Sequence, residues 1–373
     1  MPTIFYATPV EFEFGASQLV GDRCRKLGIS RPLVVTDAGV EAAGITEKVT
    51  RHLQGLPYAK TADVTTNPTE ASVLSGLSLY RSEGCDGIVA IGGGSVIDTA
   101  KAIALLATNE GSVLEYSTHS GPPRPILTLP APVIAVPTTA GTGCEVSRAA
   151  GISVGDDHTE VTIIDPLLFP RLALCDPELT LSLPSGLTAT TAMDAFTHCM
   201  EAFISPVKNP PIEAIARDGL RRLYNNIEKV LLNPSDRTAR WNVMMGALEG
   251  GMAIPKGLGP AHAVGIPLGK VGAHHGALVG VLMPKVIRWY GDFLGAKQEE
   301  LAAILGLTNG PNLATALEDF NQRLGLPANL TELGVPPEIL PSIGEDATRM
   351  RYHEICIKPT DAQGYTQLLR SAM

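Results

Sequence analysis

An α/β N-terminal domain built on a mainly parallel sheet, followed by an all-α C-terminal domain, is the fold class this sequence predicts. Three observations lead to it. Through the first half, short apolar runs alternate with helical stripes of ten or more residues, the pattern of βαβ units. From about residue 187 onward the periodicity becomes almost purely helical. The length, 373 residues, exceeds one ordinary core at about 100 to 200 residues per domain. Two domains are expected, 1–183 and 184–373, with Asp176-Pro177-Glu178-Leu179-Thr180 turning the chain out of the sheet.

The elements follow in order. Residues 5–14 alternate apolar and polar as strands do, and 15–27 carry a helical stripe. Residues 32–37 form a short buried strand that ends on Asp37, and 45–53 a helix. Residues 62–64 are predicted as a strand closed by Asn67-Pro68-Thr69, with a helix over 70–83. Residues 86–91 make another apolar strand, and a helix runs from the glycines after it to about residue 107. The proline-rich stretch 122–132 reads as a surface loop, 133–136 as a strand, and 161–164 with 171–175 as a last pair of strands. In the second half, 206–211 breaks the first helix. Residues 212–232 and 235–252 are long amphipathic stretches separated by Asn233-Pro234, and Lys297-Gln298-Glu299 opens a further helix.

Composition excludes several classes of partner. Hydrophobic residues at 45% and charged residues at 18% describe a compact soluble protein, and no apolar run approaches the roughly 20 residues of a membrane span. A net charge of −9, without a long cluster of Lys and Arg, argues against nucleic acid and against an acidic membrane surface. The opening residues lack the charged and apolar regions of a signal peptide, so the cytoplasm is the expected compartment. Six cysteines are scattered with no CxxC pair, which indicates neither a zinc ribbon nor a disulfide framework; most of them are expected to be buried small apolar residues.

In a parallel sheet, ligands bind beyond the carboxyl ends of the strands. Gly92-Gly93-Gly94-Ser95 sits at such an end. Its glycines let the backbone pass close to a bulky anion, and the helix behind them presents unpaired N–H groups and a positive dipole end. A pyrophosphate fits there, although the run is neither a Walker A sequence nor GxGxxG. The run 137–147, with Thr138, Thr139 and Thr142, offers hydroxyl donors for phosphate and ribose oxygens without steric bulk. Both loops follow apolar strands, so both can lie on one edge of the sheet.

Chemistry of another kind is encoded farther on. Asp194 and His198 stand one helical turn apart and share a helix face. His262 and His275 lie in two Gly-rich apolar segments. Three neutral imidazoles and one carboxylate suit a first-row divalent ion such as Fe(II), Zn(II), Mn(II), Ni(II) or Co(II), and suit Ca(II) or Mg(II) poorly. His52, His119, His158 and His353 have no comparable setting.

With these motifs together, the chain resembles the iron-containing (group III) alcohol dehydrogenase family, whose fold is shared with glycerol dehydrogenase and dehydroquinate synthase. The likeness spans nearly the whole length. Its motifs fall in the family's order: Asp37 after a strand, Asn67-Pro68-Thr69, Gly92-Gly93-Gly94-Ser95 with Asp98 and Lys101, Pro137-Thr138-Thr139-Ala140-Gly141-Thr142-Gly143, the run from Asp194 to Glu201, and the two Gly-His segments.

The resemblance implies a dinucleotide-binding first domain, a metal-binding second domain and hydride transfer in a cleft between them. Carried over by position, Asp194, His198, His262 and His275 would hold the metal, Fe(II) first and Zn(II) second. Gly93, Gly94 and Ser95 would hold the pyrophosphate, with Asn67, Thr138, Thr139 and Thr142 also at the cofactor. A carboxylate at Asp37 would accept from the adenosine ribose and repel a 2′-phosphate, which favours NAD over NADP. The implied substrate is a small alcohol, diol or hydroxy acid and its aldehyde or ketone, handled by a homodimer or larger assembly. The alternatives are a maleylacetate reductase-like reduction, a dehydroquinate synthase-like lyase, and a non-catalytic nucleotide or metal binding protein.

The chain also departs from the family. Ile266 stands where members often carry a histidine near the nicotinamide, which removes a proton relay through that position; His274, beside a ligand, is expected to pack or support it, with the relay role as the alternative. Glu160 replaces a lysine placed near the cofactor ribose. The interval from His262 to His275 is one residue shorter than the commoner pattern. His275 rather than His274 is taken as the ligand because His275-Gly276 matches the family's His-Gly pair.

Overall fold

A computed structural model describes residues 8–118, 121–155, 159–307 and 313–373. The chain forms two units. One comprises Phe5–Thr139 and Gly143–Ser182, the other Leu183–Met373 together with Ala140–Thr142.

The first unit carries the strands β1 (Val10–Phe12), β2 (Pro32–Val35), β3 (Ala59–Thr61), β4 (Gly87–Gly92), β5 (Val133–Pro137), β6 (Ala149–Val154), β7 (Thr159–Ile164) and β8 (Leu172–Cys175). Six of them build one all-parallel sheet in the order β1-β8-β5-β4-β2-β3. Strand order reverses direction between β2 and β4, the kind of point outside which open α/β sheets bind ligands. The sheet is apolar on both faces because helices cover both. Leu33, Val35, Ile88, Ala90, Val133 and Ala135 pack into one core with Val73 of α4 (Glu70–Ser82) and Ile97 and Ile103 of α5 (Gly94–Thr108). The alternate residues Val34, Val89, Ile91, Ile134 and Val136 pack into another with Val20 and Cys24 of α1 (Val20–Lys26) and Val49 of α3 (Ile45–Thr50), beyond the short α2 (Ala38–Ala42). This two-sided burial is why β2, β4 and β5 read as continuous apolar runs and not as alternating ones.

Two expectations need correction. The strand placed at 62–64 lies at Ala59–Thr61, where Ala59 and Thr61 are buried and Lys60 points outward. Asp63, after it, lies outside the strand and makes an isolated bridge to Asp37. The polar Lys60 is what an edge strand tolerates on its solvent side. The segments 161–164 and 171–175 are not a pair: the first belongs to β7, which joins β6 in a separate antiparallel hairpin, and the second is β8 in the main sheet. Alternation identifies a strand but not its sheet. Of the strand expected over 5–14, residues 5–7 lie outside the described residues. The loop 122–132 is preceded by a short helix, α6 (Val113–Tyr116), closed by a capping box between Ser112 and Glu115.

The second unit is helical: α7 (Ser185–Ile204), α8 (Pro210–Leu232), α9 (Arg237–Ala253), α10 (Pro260–Leu268), α11 (His275–Tyr290), α12 (Ala296–Ile304), α13 (Leu313–Arg323), α14 (Leu340–Arg349) and α15 (Ala362–Arg370). From Ala192 to Ile204, α7 is buried at every position, so it is the central helix against which α8, α9 and α11 pack. Its last turn is closed by a charge the sequence does not advertise. Lys256 is 1% exposed and donates to the carbonyls of Ala202 and Ser205, both at 2.7 Å, meeting orphan acceptors of the helix end. All six cysteines are free, five of them buried. No helix among the described residues is long and apolar enough to cross a membrane.

Candidate dinucleotide and metal sites

At the end of β4, Gly92 pairs with Pro137 of β5, and Thr138 N–H donates to the Gly92 carbonyl at 3.1 Å. A Cβ on Gly92 would lie 2.5 Å from Val96, so only glycine permits this tight passage from strand to helix. Gly93, the residue before α5, makes no side-chain cap, which leaves the first N–H groups of a fifteen-residue helix available to an anion. Thr139 packs against Gly93, its Oγ1 3.3 Å from where a Cβ there would be. The structure therefore brings Gly93, Gly94, Ser95, Thr138 and Thr139 to one corner of the sheet. The Ser95 hydroxyl donates to the Thr66 carbonyl and so ties in the loop containing Asn67. Asp37 follows β2 and caps α2, accepting from Val40 N–H at 2.9 Å.

Asp98 and Lys101, members of the same motif, have a structural task. Asp98 accepts from Gly151 N–H at 3.0 Å, while buried Lys101 donates to Asp98 at 3.2 Å and to the Ala149 carbonyl at 2.8 Å. Together they fasten the β6-β7 hairpin to α5. Glu160 lies opposite Ser153 in that hairpin.

In the helical unit, Asp194, His198 and Glu201 follow one another at helical spacing along buried α7. Asp194 Oδ1 is the common point of the cluster. It stands 3.7 Å from His198 Nε2, 3.4 Å from His262 Nε2 and 3.7 Å from His275 Nε2. Donor atoms of Asp194, His262 and His275 all lie within 4.8 Å of one another. His198 joins through Asp194 and through its ring, stacked on His262 with centroids 4.5 Å apart. Two donors at tetrahedral angles, each about 2.0 to 2.1 Å from one ion, stand roughly 3.3 to 3.4 Å apart. The spacing is thus near what a shared cation requires. Asp194 and His262 are 3% and 1% exposed, yet Asp194 Oδ1 and His262 Nε2 have no hydrogen-bond partner among the described residues. Buried polar atoms are rarely left this way without an occupant. The donor set fits a divalent ion.

Electrostatics point the same way. Burial pushes His198 down to about 3, which keeps its imidazole neutral with a lone pair to give. Burial also lowers His262, but Glu201 and Asp194 outweigh it and hold that ring up to about 9. For Asp194 burial works upward, and the surrounding imidazoles overcome it, keeping the carboxyl below the usual range. Two carboxylates at this place thus call for a positive charge, which a proton on His262 or a cation can supply.

Glu201 carries no local sequence signal of a site residue. It is 2% exposed; Oε2 lies 2.6 Å from His262 Nδ1 and Oε1 accepts from Ala261 N–H at 2.7 Å. With Nδ1–H donating to Glu201 and a cation in place of the second ring proton, an Nε2 lone pair is left on the side of Asp194, the arrangement that orients histidine ligands in metal sites. Glu201→Gln is expected to weaken metal binding by about 10- to 100-fold while the protein stays folded, read by competition with a chelator. Unchanged metal affinity would remove Glu201 from the site.

His275 is the first residue of α11, and its side chain is about a third exposed, the open side of the cluster. Gly276 explains its placement: a Cβ there would lie 2.0 Å from the Thr190 carbonyl, so the first turns of α11 and α7 touch backbone to backbone. His274 is half-buried, and Ile266 occupies α10 one turn after His262. Thr142, expected at the cofactor, donates to Asp194 Oδ2 at 2.8 Å.

The chain, a parallel-sheet unit followed by a helical unit, is similar in architecture to a solved 1,3-propanediol oxidoreductase. That structure superposes with a TM-score of 0.92 at 30% identity, covering all of both chains. Residues 7–177 match the family model of iron-containing alcohol dehydrogenases, and 188–373 match the C-terminal model of the same family. The chain belongs to the iron-containing alcohol dehydrogenase family and is an enzyme of the alcohol dehydrogenase type. It is 42% identical over 383 residues to a 4-hydroxybutyrate dehydrogenase of Cupriavidus necator, with all of both chains covered. An NAD-dependent methanol dehydrogenase of Bacillus methanolicus is 32% identical, with 96% of each chain covered.

Proposed function

We propose that this enzyme transfers a hydride between NAD(H) and a small alcohol, diol or hydroxy acid and its carbonyl partner, with a short ω-hydroxy acid the first substrate to test. The observation that carries the reading is the convergence of three imidazole Nε2 atoms on the buried, unpartnered Asp194 Oδ1. The preference for a hydroxy acid is supported by the likeness to 4-hydroxybutyrate dehydrogenase.

In this reading Asp194, His198, His262 and His275 hold one divalent ion, Fe(II) before Zn(II), and the 184–373 domain exists to present them. The 1–183 domain holds NAD. Gly93 and Gly94 admit the pyrophosphate to the N-terminus of α5, Thr138 and Thr139 flank it, and Asn67 lines the same loop edge. Asp37 disfavours a 2′-phosphate. When bound, the ion supplies Lewis acidity toward the substrate oxygen and NAD accepts or returns the hydride. Glu201 fixes the tautomer of His262, and burial keeps His198 neutral. Ile266 offers no proton, so the proton leaves by another route. Assembly as a homodimer or larger, in the cytoplasm, completes the reading.

The test is direct. Protein stripped of metal and reloaded with Fe(II) or Zn(II) is mixed with NAD and 4-hydroxybutyrate, 1,3-propanediol or methanol, and absorbance of NADH is followed. Metal-dependent NADH formation on at least one of these is the expected result. Silence with all three, in both directions of reaction and with either ion, would overturn the proposal.

A further inference from the structure

The geometry points to Thr142 as a positioning residue for the metal ligand Asp194, and not as a donor to the cofactor phosphates. The inference rests on the proposed metal site. Thr142 lies in Ala140–Thr142, the short piece of the β5 loop that groups with the helical unit. Its hydroxyl donates to Asp194 Oδ2 at 2.8 Å. A hydroxyl has one proton to give. Once that proton is committed, the carboxylate has one oxygen occupied and the other, Oδ1, left without a partner and facing the three Nε2 atoms. A carboxylate free to rotate about its last torsion would offer either oxygen at varying angle; Thr142 selects one.

The loop is held where it can do this. A Cβ on Gly141 would lie 3.0 Å from Thr191 Cβ and 3.3 Å from the Thr191 carbonyl, so the backbone before Thr142 rests directly on the first half of α7. The hydroxyl therefore reaches Asp194 from a fixed base. Thr142 is itself exposed on its other side. Toward that side its oxygen has only lone pairs to offer. Whatever meets it there must donate, as an amide N–H or a sugar hydroxyl does, and a phosphate oxygen does not satisfy it.

Thr142→Val preserves shape and removes the hydroxyl; Thr142→Ser keeps the hydroxyl. Zn(II) affinity of the metal-free proteins is measured by competition with a chromophoric chelator, and their melting is followed alongside. Thr142→Val is expected to bind Zn(II) about 10- to 100-fold more weakly, the usual loss of an outer partner, with Thr142→Ser close to the parent and all metal-free proteins melting alike. If Thr142→Val does not fold, Thr142→Ala carries the same expectation. Parent-like Zn(II) binding without the hydroxyl overturns the inference, and so does a loss that Thr142→Ser fails to rescue. A parent protein that binds no Zn(II) or Fe(II) at all instead brings down the metal reading beneath it, an outcome distinguishable because it needs no variant.

Discussion

Asp194→Asn is expected to yield a folded protein that holds almost no metal and turns over no alcohol. The substitution keeps the side chain's volume, so packing along α7 is preserved. It changes two things at the centre of the cluster. The negative charge toward which His198, His262 and His275 all point is lost. An amide also carries two N–H donors, which would turn toward the lone pairs of the imidazoles and consume the donor capacity a cation needs. Loss of an outer partner costs about 10- to 100-fold in metal affinity, and loss of the central anion should exceed that. NAD affinity is expected to be kept, because the glycine corner belongs to the other unit. Elemental analysis, steady-state turnover and titration with NADH fluorescence check the three parts. Stoichiometric metal in Asp194→Asn would sink the assignment of this residue.

The candidate site was legible in sequence where its logic is local. Asp194 and His198 are one turn apart on one helix, and such spacing survives any tertiary context. Gly92 to Ser95 follows an apolar strand, and a glycine corner at that position has one steric reason, the approach of Val96. What the sequence left hidden is long-range. Glu201 sits seven residues after Asp194, on the same face, but its value comes from meeting Ala261 and His262 some sixty positions on, and nothing local announces that. The loop sequence assigns Thr142 to the cofactor, while its hydroxyl points to a helix that begins more than forty residues later. The misplaced strand at 62–64 and the misjoined segment 161–164 have a related cause. Lys60 hides an edge strand, and sheet membership is decided by partners rather than by pattern.

Gly276→Ala tests the other structural premise, that backbone contact between α11 and α7 is what delivers His275. Helix propensity alone predicts a gain, since alanine in a helix is favoured over glycine by roughly 1 kcal/mol. Packing predicts the opposite. The added methyl would lie 2.0 Å from the Thr190 carbonyl oxygen, 2.8 Å from its carbon and 3.2 Å from Asp194 Cβ. The first two are helix backbone atoms and cannot swing aside as a side chain can. Overpacking of this kind costs about 1–3 kcal/mol, enough to outweigh the propensity gain, and the first turn of α11 must retreat and carry His275 with it. Lower melting temperature and faster extraction of metal by chelator are therefore expected together. Gly186→Ala is the counterpart on α7: nothing lies within 4 Å of its Cβ, and the expected change is a stabilisation of about 0.5–1 kcal/mol with metal retention unaltered. If Gly276→Ala gained stability as Gly186→Ala does, or lost stability yet kept its metal, the close approach of the two helix starts would not be what positions the third imidazole.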